Sequence, residues 1–230
     1  MKFMNCIKGR FCLKSLTSVV FWSLILAAPV VSRATVVYSN FGLSFAFDQT
    51  QGNSIGNDLV GDNLAEAETF TPGANFTFTA LEIALSCAVS CPGSDPLTVS
   101  LQTSTAGLPS GTALETFTVA GGTLPTLGTS LHQTFTSILN PALTSGTKYW
   151  VVVIDALGNN QSTWSLNTTG ATATNADSID GGTSWNSPTG QTPGAFEVDG
   201  STGSVTPEPG TLGMMLGGGL LLGLIRKIRG

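Results

Sequence analysis

Positive charge is almost absent from the middle of this sequence. Between residues 35 and 205 a single basic side chain, Lys148, stands against 13 acidic ones, so this stretch carries a net charge of −12. The other eight of the nine Lys and Arg residues belong to the two ends of the chain. A domain with this charge cannot neutralise phosphate groups, which excludes a nucleic-acid partner.

The sequence has one histidine and lacks the usual signals of a hydrolase. A Ser-His-Asp triad needs its base beside a nucleophile, and no G-x-S-x-G turn is present. In the alternating segment around it, His132 falls opposite Leu131 and Phe135, which predicts a solvated position without a catalytic partner. We therefore expect no catalytic residue and no enzymatic activity.

Two carboxylate pairs keep a secreted glycoside hydrolase open as the less favoured alternative. Glu66 with Glu68, and Glu197 with Asp199, are spaced i,i+2, so each pair shares one face of a strand. Two carboxylates are the machinery of glycoside hydrolysis. The same spacing is common on solvated faces of acidic β-proteins, which is the interpretation that we prefer.

No helical period is visible between residues 35 and 205, and alternation with a period of two replaces it. Residues 149–154 are apolar on both faces, as in a central strand. The apolar positions that alternate with polar ones are Leu97, Val99, Leu101, Phe117, Val119, Phe196 and Val198. Because Gly- and Pro-rich turns separate these runs, we predict an all-β, jelly-roll-like β-sandwich.

Residues 75–85 change parity part-way along. Phe76 and Phe78 belong to one face of a regular strand, whereas Leu81 and Ile83 belong to the other. One uninterrupted strand cannot bury both sets on the same side. We predict a bulge, or a crossing between sheets, near Thr79-Ala80.

Cysteine is scarce, and Cys87 and Cys91 are the pair that falls between residues 35 and 205. In an exported protein, cysteines four residues apart can close a small disulfide loop, with free thiols as the alternative. A metal site is disfavoured because neither a histidine nor a second cysteine pair accompanies the motif. We predict a disulfide that pins a turn and, because its loop is short, adds little stability.

Two acidic loops, residues 57–63 and 175–181, offer the carboxylate, amide and carbonyl oxygens that calcium takes. Neither loop matches the twelve-residue calcium-binding signature, and Asp and Asn also occur in turns for local hydrogen-bonding reasons. We therefore expect no metal ligand and no cofactor, with calcium left open as the alternative.

Tryptophan is the remaining signal for a ligand, because an exposed indole ring can stack on a sugar. Trp185 lies in the loop-like segment 181–186 and is the best candidate for a sugar contact, whereas Trp150 is expected to fill the core. A lectin-like, carbohydrate-binding module is therefore the principal alternative function.

Residues 1–34 have the organisation of a secretory signal peptide. An apolar core spans residues 16–28, and small residues, Ser32 and Ala34, precede the cleavage site expected between Ala34 and Thr35. The basic residues before the core are Lys2, Lys8, Arg10 and Lys14. An uncleaved anchor is the alternative, but the apolar run is shorter than the roughly 20 residues that a membrane span prefers.

Residues 206–230 combine a Pro-Glu-Pro motif, an apolar segment at 211–225 and a basic cluster, in that order. The apolar segment predicts a single helix of about 22 Å, short against a hydrocarbon core of about 30 Å. The motif is Pro207, Glu208 and Pro209, and the basic cluster is Arg226, Lys227 and Arg229. We predict a short transmembrane helix whose basic cluster stays cytoplasmic, so that the domain before it lies outside.

This arrangement resembles the PEP-CTERM sorting signal of Gram-negative bacteria. The resemblance is confined to residues 206–230 and concerns sorting only. It implies recognition and processing at Pro207, Glu208 and Pro209 by exosortase, a membrane protease, followed by transfer to the cell surface. It also suggests exopolysaccharide as a partner, because bacteria with this signal typically make it.

Short motifs spread over the middle of the chain carry a second resemblance. They are Tyr38-Ser-Asn-Phe-Gly42, Phe70-Thr-Pro72, Asn75-Phe-Thr77, Gly107-Leu-Pro-Ser-Gly111, Leu143-Thr-Ser-Gly-Thr-Lys-Tyr-Trp150, Asp180-Gly-Gly-Thr-Ser-Trp185 and Gly194-Ala-Phe-Glu-Val198. Together they resemble the choice-of-anchor domains, most closely type R. The resemblance implies a surface-exposed β-domain and carries no ligand or site residue.

These observations divide the chain into a signal peptide (1–34), an extracytoplasmic β-sandwich domain (35–205) and a sorting signal (206–230). We expect an exported protein that is anchored transiently in the inner membrane and then reaches the cell surface or extracellular matrix. A non-enzymatic structural or adhesive role is the function that the sequence favours.

Overall fold

The computed structural model describes residues 34–57, 61–187 and 191–202. Residues 1–33 of the predicted signal peptide lie outside these ranges, as do the Pro-Glu-Pro motif, the apolar segment 211–225 and the basic cluster. Within the described ranges, no helix has the length and apolar character needed to cross a membrane.

Thirteen β-strands and one 3₁₀ turn, Gly121–Thr123, form the regular structure of the described residues. The strands are β1 Thr35–Ser39, β2 Phe47–Asn57, β3 Asn63–Phe70, β4 Phe76–Ile83, β5 Leu85–Cys87, β6 Pro96–Thr105, β7 Leu108–Ala120, β8 Gln133–Thr136, β9 Ala142–Leu143, β10 Tyr149–Asp155, β11 Gln161–Asn167, β12 Asn175–Ser178 and β13 Phe196–Ser201. Since no α-helix occurs in this part of the chain, the all-β prediction is confirmed.

The strands pair antiparallel in two sheets, one of five strands and one of eight. The smaller has the order β1-β13-β4-β8, with β9 also paired to β4. The larger has the order β5-β11-β2-β3-β10-β6-β7, with β12 also paired to β3. The main core cluster draws on both sheets, for example Phe78 and Val198 from the smaller and Val151 and Trp164 from the larger. This shared core is consistent with a β-sandwich.

Strand β10 lies in the middle of the larger sheet, paired with β3 on one side and β6 on the other. Val151 and Val153 face the main core, whereas Trp150 and Val152 are buried in a second cluster on the opposite face. A strand covered on both faces needs apolar residues at every position. The prediction of a central strand at residues 149–154 is therefore confirmed.

Strand β6 is buried more fully than its alternating sequence predicts. Its apolar residues face the main core as expected: Leu97, Val99 and Leu101. On the other face Ser100 and Gln102 are buried too. The Gln102 side-chain oxygen accepts the N–H of Gly111 at 2.9 Å, so the first part of β7 covers this face. Because the covering residues belong to a neighbouring strand, the alternation of apolar and polar residues along β6 does not indicate that this face is buried.

A β-bulge at Thr79 resolves the change of parity along β4. Two successive residues of β13 pair with Ala80 and Phe78, so Thr79 is skipped in the register. The extra residue lets Phe78 and Leu81 both reach the main core. The bulge predicted near Thr79-Ala80 is confirmed.

The Cys87–Cys91 loop lies against the start of β11. The two cysteines are at disulfide distance, with their Cα atoms 5.9 Å apart, consistent with the predicted bridge. Gln161 holds the loop through its backbone, accepting from Ala88 N at 2.9 Å and donating to Ser90 O at 2.8 Å. The bridge and these bonds together fix one local turn.

Candidate functional site

Three carboxylates converge on the outer face of the five-stranded sheet. Glu82 in β4 lies opposite Glu197 in β13, and Asp199 follows on the same face. One carboxylate oxygen of each lies within 4.8 Å of the other two, and all three side chains are half-buried. Burial, and then the charge of Glu197, raise the pKa of Asp199. Such oxygens are suitable ligands for a hard divalent cation, which calcium and magnesium exemplify.

His132 borders this cluster and is not solvated as predicted. Its Nε2 lies 3.0 Å from Glu82 Oε2, an electrostatic contact rather than a well-aligned hydrogen bond. Its ring stacks on Phe45 with 4.9 Å between centroids and also contacts Phe41. The predicted solvated position is wrong, because the turn before β2 folds over the residue that precedes β8 and leaves the His132 side chain only 24% exposed. Local alternation around His132 carries no information about that turn.

The turn that carries Phe45 has a strained backbone. Ser44 and Phe45 have φ values of 57° and 58°, in the left-handed region that bulky residues rarely adopt. Gly42 and Ala46 close the turn through two backbone hydrogen bonds, of 2.7 Å and 3.3 Å. Strain of this kind costs on the order of 1–3 kcal/mol per residue and persists only where the surroundings enforce it. Here the stacking of Phe45 on His132 helps to enforce it.

The histidine–carboxylate contact reproduces two members of a hydrolytic triad, so the second ring nitrogen decides its chemistry. His132 Nδ1 is buried and has no hydrogen-bond partner among the described residues. Among the described residues, therefore, no hydroxyl group is hydrogen-bonded to Nδ1, and the nucleophile of a triad is missing from this arrangement. The cluster can bind a proton or a cation, and Phe45 gives it an aromatic border.

Glu66 and Glu68 lie inside the protein and not on a solvated face. They pair with Val153 and Val151 of β10, which face the main core, and directly opposite residues of a sheet share a face. Their side chains are only 6% and 0% exposed. The preferred interpretation of this pair as solvated acids is wrong, because β3 is an internal strand between β10 and β12 or β2.

The two buried glutamates are mostly without polar partners. Glu68 Oε1 accepts the backbone N–H of Gly194 at 2.7 Å and the Asn53 side-chain amide at 3.5 Å, whereas Oε2 of both residues has no hydrogen-bond partner. Burial first, and then the charge of Asp177, raise the pKa of Glu66 to about 8. Burial raises the pKa of Glu68 well above its usual range, against the opposing Gly194 bond. Both groups therefore favour the protonated form, and both are closed to a polysaccharide chain.

A third acidic pair, Asp95 and Asp155, was not singled out by the sequence. Both side chains are buried, at 1% and 0% exposure. The Asp155 carboxylate accepts backbone N–H groups of Gly158 and Asn160 at 3.0 Å and 2.8 Å. Burial raises the pKa of Asp155, and a hydrogen bond with Asp95 raises it further, whereas the two backbone hydrogen bonds lower it. The pair joins two loops, and its only sequence signal is that Asp155 ends an apolar strand.

The two predicted calcium loops differ in how much of them can be described. Residues 58–60 of the first loop lie outside the described ranges. In the second, Asp180 accepts from Ser178 Oγ at 2.7 Å, and from the Ser184 N–H and hydroxyl at 2.8 Å and 2.6 Å. These bonds, those of Ser184 foremost, lower the pKa of Asp180 to about 2. Local turn bonding accounts for the conformation of this aspartate.

Trp185, the predicted sugar contact, is half-buried. It packs against the second cluster, which contains Trp150 and Ala176. This cluster lies on the face of the larger sheet that is turned away from the main core. Trp150 is 0% exposed, as expected for a core residue. The predicted sorting residues, from Pro207 onward, lie outside the described ranges. No protein-family model matches the chain, and no curated protein matches it in sequence.

Proposed function

We propose that the chain is an exported protein of the cell surface or extracellular matrix, with a non-enzymatic structural or adhesive role. Its working part is a jelly-roll-like β-sandwich. It is sorted, and processed by an exosortase-type enzyme, at Pro207, Glu208 and Pro209. The observation that carries the proposal is the succession of this motif, the apolar segment 211–225 and the basic cluster in one short stretch.

Three features of the domain support this assignment. A cysteine pair at disulfide distance suits an oxidising compartment outside the cytoplasm. A net charge of −12 between residues 35 and 205 keeps an exported domain soluble. The carboxylates of Glu82, Glu197 and Asp199 are half-buried on the outer face of the smaller sheet, and the Glu66–Glu68 pair is closed to substrate.

The test is the processing of the full chain in an exosortase-containing host. Replacing Pro207, Glu208 and Pro209 by alanine should leave an unprocessed form in the membrane fraction, identified by intact mass. The matched control replaces the three residues Ser201, Thr202 and Gly203 by alanine and should be processed normally. Identical mature masses for wild type and the Pro-Glu-Pro variant would refute the sorting proposal.

A carbohydrate-binding module is the second candidate, favoured by the position of Trp185. The indole is held by the second cluster yet keeps part of its surface exposed, and a rigid, partly exposed ring is what stacking on a sugar requires. Glycan-array binding that is lost in Trp185→Ala would support this candidate. The control is Trp164→Phe, since Trp164 is fully buried in the main core. If no glycan on the array binds the wild-type protein, the carbohydrate-binding candidate is refuted.

A further inference from the structure

The two sheets end in strands that differ sharply in how they are protected. The terminal strands of the smaller sheet, β1 and β8, have five and four residues. In the larger sheet the three-residue β5 is covered, because Cys87 bonds Pro125 O and Leu127 N through its backbone. The other terminal strand, β7, has 13 residues and pairs with β6 alone. In the described part of the chain no strand pairs with its outer edge.

The second half of β7, residues 115–120, also lacks the outward charges and proline that normally prevent edge pairing, since Pro109 and both register irregularities of the strand lie before it. Short length, outward charges, lysine and proline are the usual protections. Its exposed positions in the second half are Thr116, Thr118 and Ala120, and none is charged. The one charged residue of the strand, Glu115, is 3% exposed. From residue 115 to 120 the strand therefore offers a regular edge without exposed charge on a domain that is otherwise strongly acidic.

An exposed apolar pair lies next to this edge. Glu115 accepts the backbone N–H groups of Ile138 and Leu139 at 2.5 Å and 3.2 Å, and also the hydroxyl of Ser137. Ile138 and Leu139 are themselves 84% and 68% exposed. The buried carboxylate thus ties two apolar side chains to β7 and leaves them facing solvent. An apolar flank beside an unpaired strand is typical of an interface.

We propose that β7 is a self-association edge, at which two copies of this chain pair antiparallel and continue the larger sheet across a two-fold axis. The occupant must be a strand, because unpaired N–H and C=O groups are satisfied by another extended backbone. It must also carry no negative charge at this edge, because the domain is strongly acidic and an acidic strand would be repelled. A second β7 meets both conditions, and two-fold symmetry makes one patch complementary to itself.

The register follows from symmetry. Pairing centred on Phe117 places Thr116 of each copy opposite Thr118 of the other copy, which gives two threonine pairs. Threonine pairs across antiparallel strands are favourable, and no like charges face each other. Ile138 and Leu139 of each copy then flank the new strand pair. The inference is independent of export and sorting, since it concerns only the surface of the folded domain.

The experiment is sedimentation equilibrium of the full chain in a non-ionic detergent, over a range of protein concentrations. Wild type should show twice the monomer mass, and added salt should strengthen association by screening the acidic surfaces. Thr116→Lys combined with Thr118→Lys places lysines opposite each other and should weaken association by at least about tenfold. Gln51→Lys, which adds charge at an exposed position of β2, should leave it unchanged.

A second variant covers the case in which the lysine variant does not fold. Ile138→Ser combined with Leu139→Ser keeps the backbone bonds to Glu115 and removes only the apolar flank, so association should again weaken. A wild type that stays monomeric at its highest soluble concentration would overturn the proposal. So would a dimer that persists in both double variants, because it would then form elsewhere, for example through the apolar segment 211–225. Neither result bears on processing at the Pro-Glu-Pro motif.

Discussion

Two pairs of acidic residues with the same spacing have opposite environments in this protein. Glu66 and Glu68 are enclosed beside Val151 and Val153, whereas Glu197 and Asp199 are half-buried on the outer face of the smaller sheet. In both cases the alternation of the strand is regular. The two strands differ in which set of alternate residues faces the main core, the acidic set or the apolar set. They also differ in whether other parts of the protein cover the opposite face.

The comparison teaches that an apolar neighbour in sequence is a weak guide to which face is inside. In β13 the acids alternate with Phe196 and Val198, whose large side chains claim the core. In β3 the acids alternate with Ala65 and Ala67, and these small buried residues lie on the opposite face of the sheet, where Ala67 is part of the second cluster. The larger apolar surface decides burial in β13, whereas in β3 the register with β10 decides it.

The largest effect expected from this comparison is on the pH dependence of the free energy of unfolding. The pKa of Glu66 is about 8 in the folded protein against 4.5 ordinarily, so the folded state binds this proton more tightly. The associated stability is complete below the lower value and is lost as pH rises through the higher one. Between roughly pH 5 and pH 8 the contribution of Glu66 to the free energy of unfolding should fall by about 3 kcal/mol, and the buried Glu68 carboxyl adds to the total fall.

Urea unfolding followed by tryptophan fluorescence at both pH values measures this fall. Glu66→Gln should remove the part of the dependence that Glu66 contributes, because an amide does not titrate, and Glu68 accounts for the slope that remains. Glu197→Gln is the matched control on the other pair and should keep the slope of the wild type. An unchanged slope in Glu66→Gln would show that Glu66 does not hold its proton.

The next effect concerns the hydrogen bond that the buried Glu68 carboxyl accepts from Gly194. Glu68→Ala removes the partner of the buried Gly194 N–H and leaves a cavity, so it should lower the free energy of unfolding by about 2–3 kcal/mol. Glu68→Gln keeps an acceptor oxygen and should cost less than about 1 kcal/mol. Unfolding at pH 6 compares the two variants, and equal losses would contradict a specific role for the hydrogen bond.

The smallest effect is expected on the outer face. Glu197→Gln should change the free energy of unfolding by no more than about 0.5 kcal/mol, as is usual for partly exposed positions. It should nevertheless lower the pKa of Asp199, because the charge of Glu197 raises it. An NMR titration of the Asp199 carboxyl measures this, with Gln51→Glu as a control. A constant Asp199 pKa would mean that the two carboxylates do not interact.

Strands with large apolar residues at alternate positions were predictable from the sequence. The central strand at residues 149–154 and the bulge near Thr79 followed from counting parity, because each side chain must leave the strand on a fixed side. The site around Glu82 and His132 was not predictable in this way. It joins residues of β4, β13, the segment before β8 and a strained turn before β2, and no local period connects them.

The amino-acid sequence by itself determined the all-β class, the acidic character of the domain, the central strand and the bulge. These properties depend on composition and on the period of two, which are local. The tertiary structure decided that Glu66 and Glu68 are buried, that His132 meets Glu82 and Phe45, and that β7 is left as an uncharged edge. Those outcomes depend on which strand lies beside which, and pairing between distant segments is set by the packing of the whole core and not by any one strand.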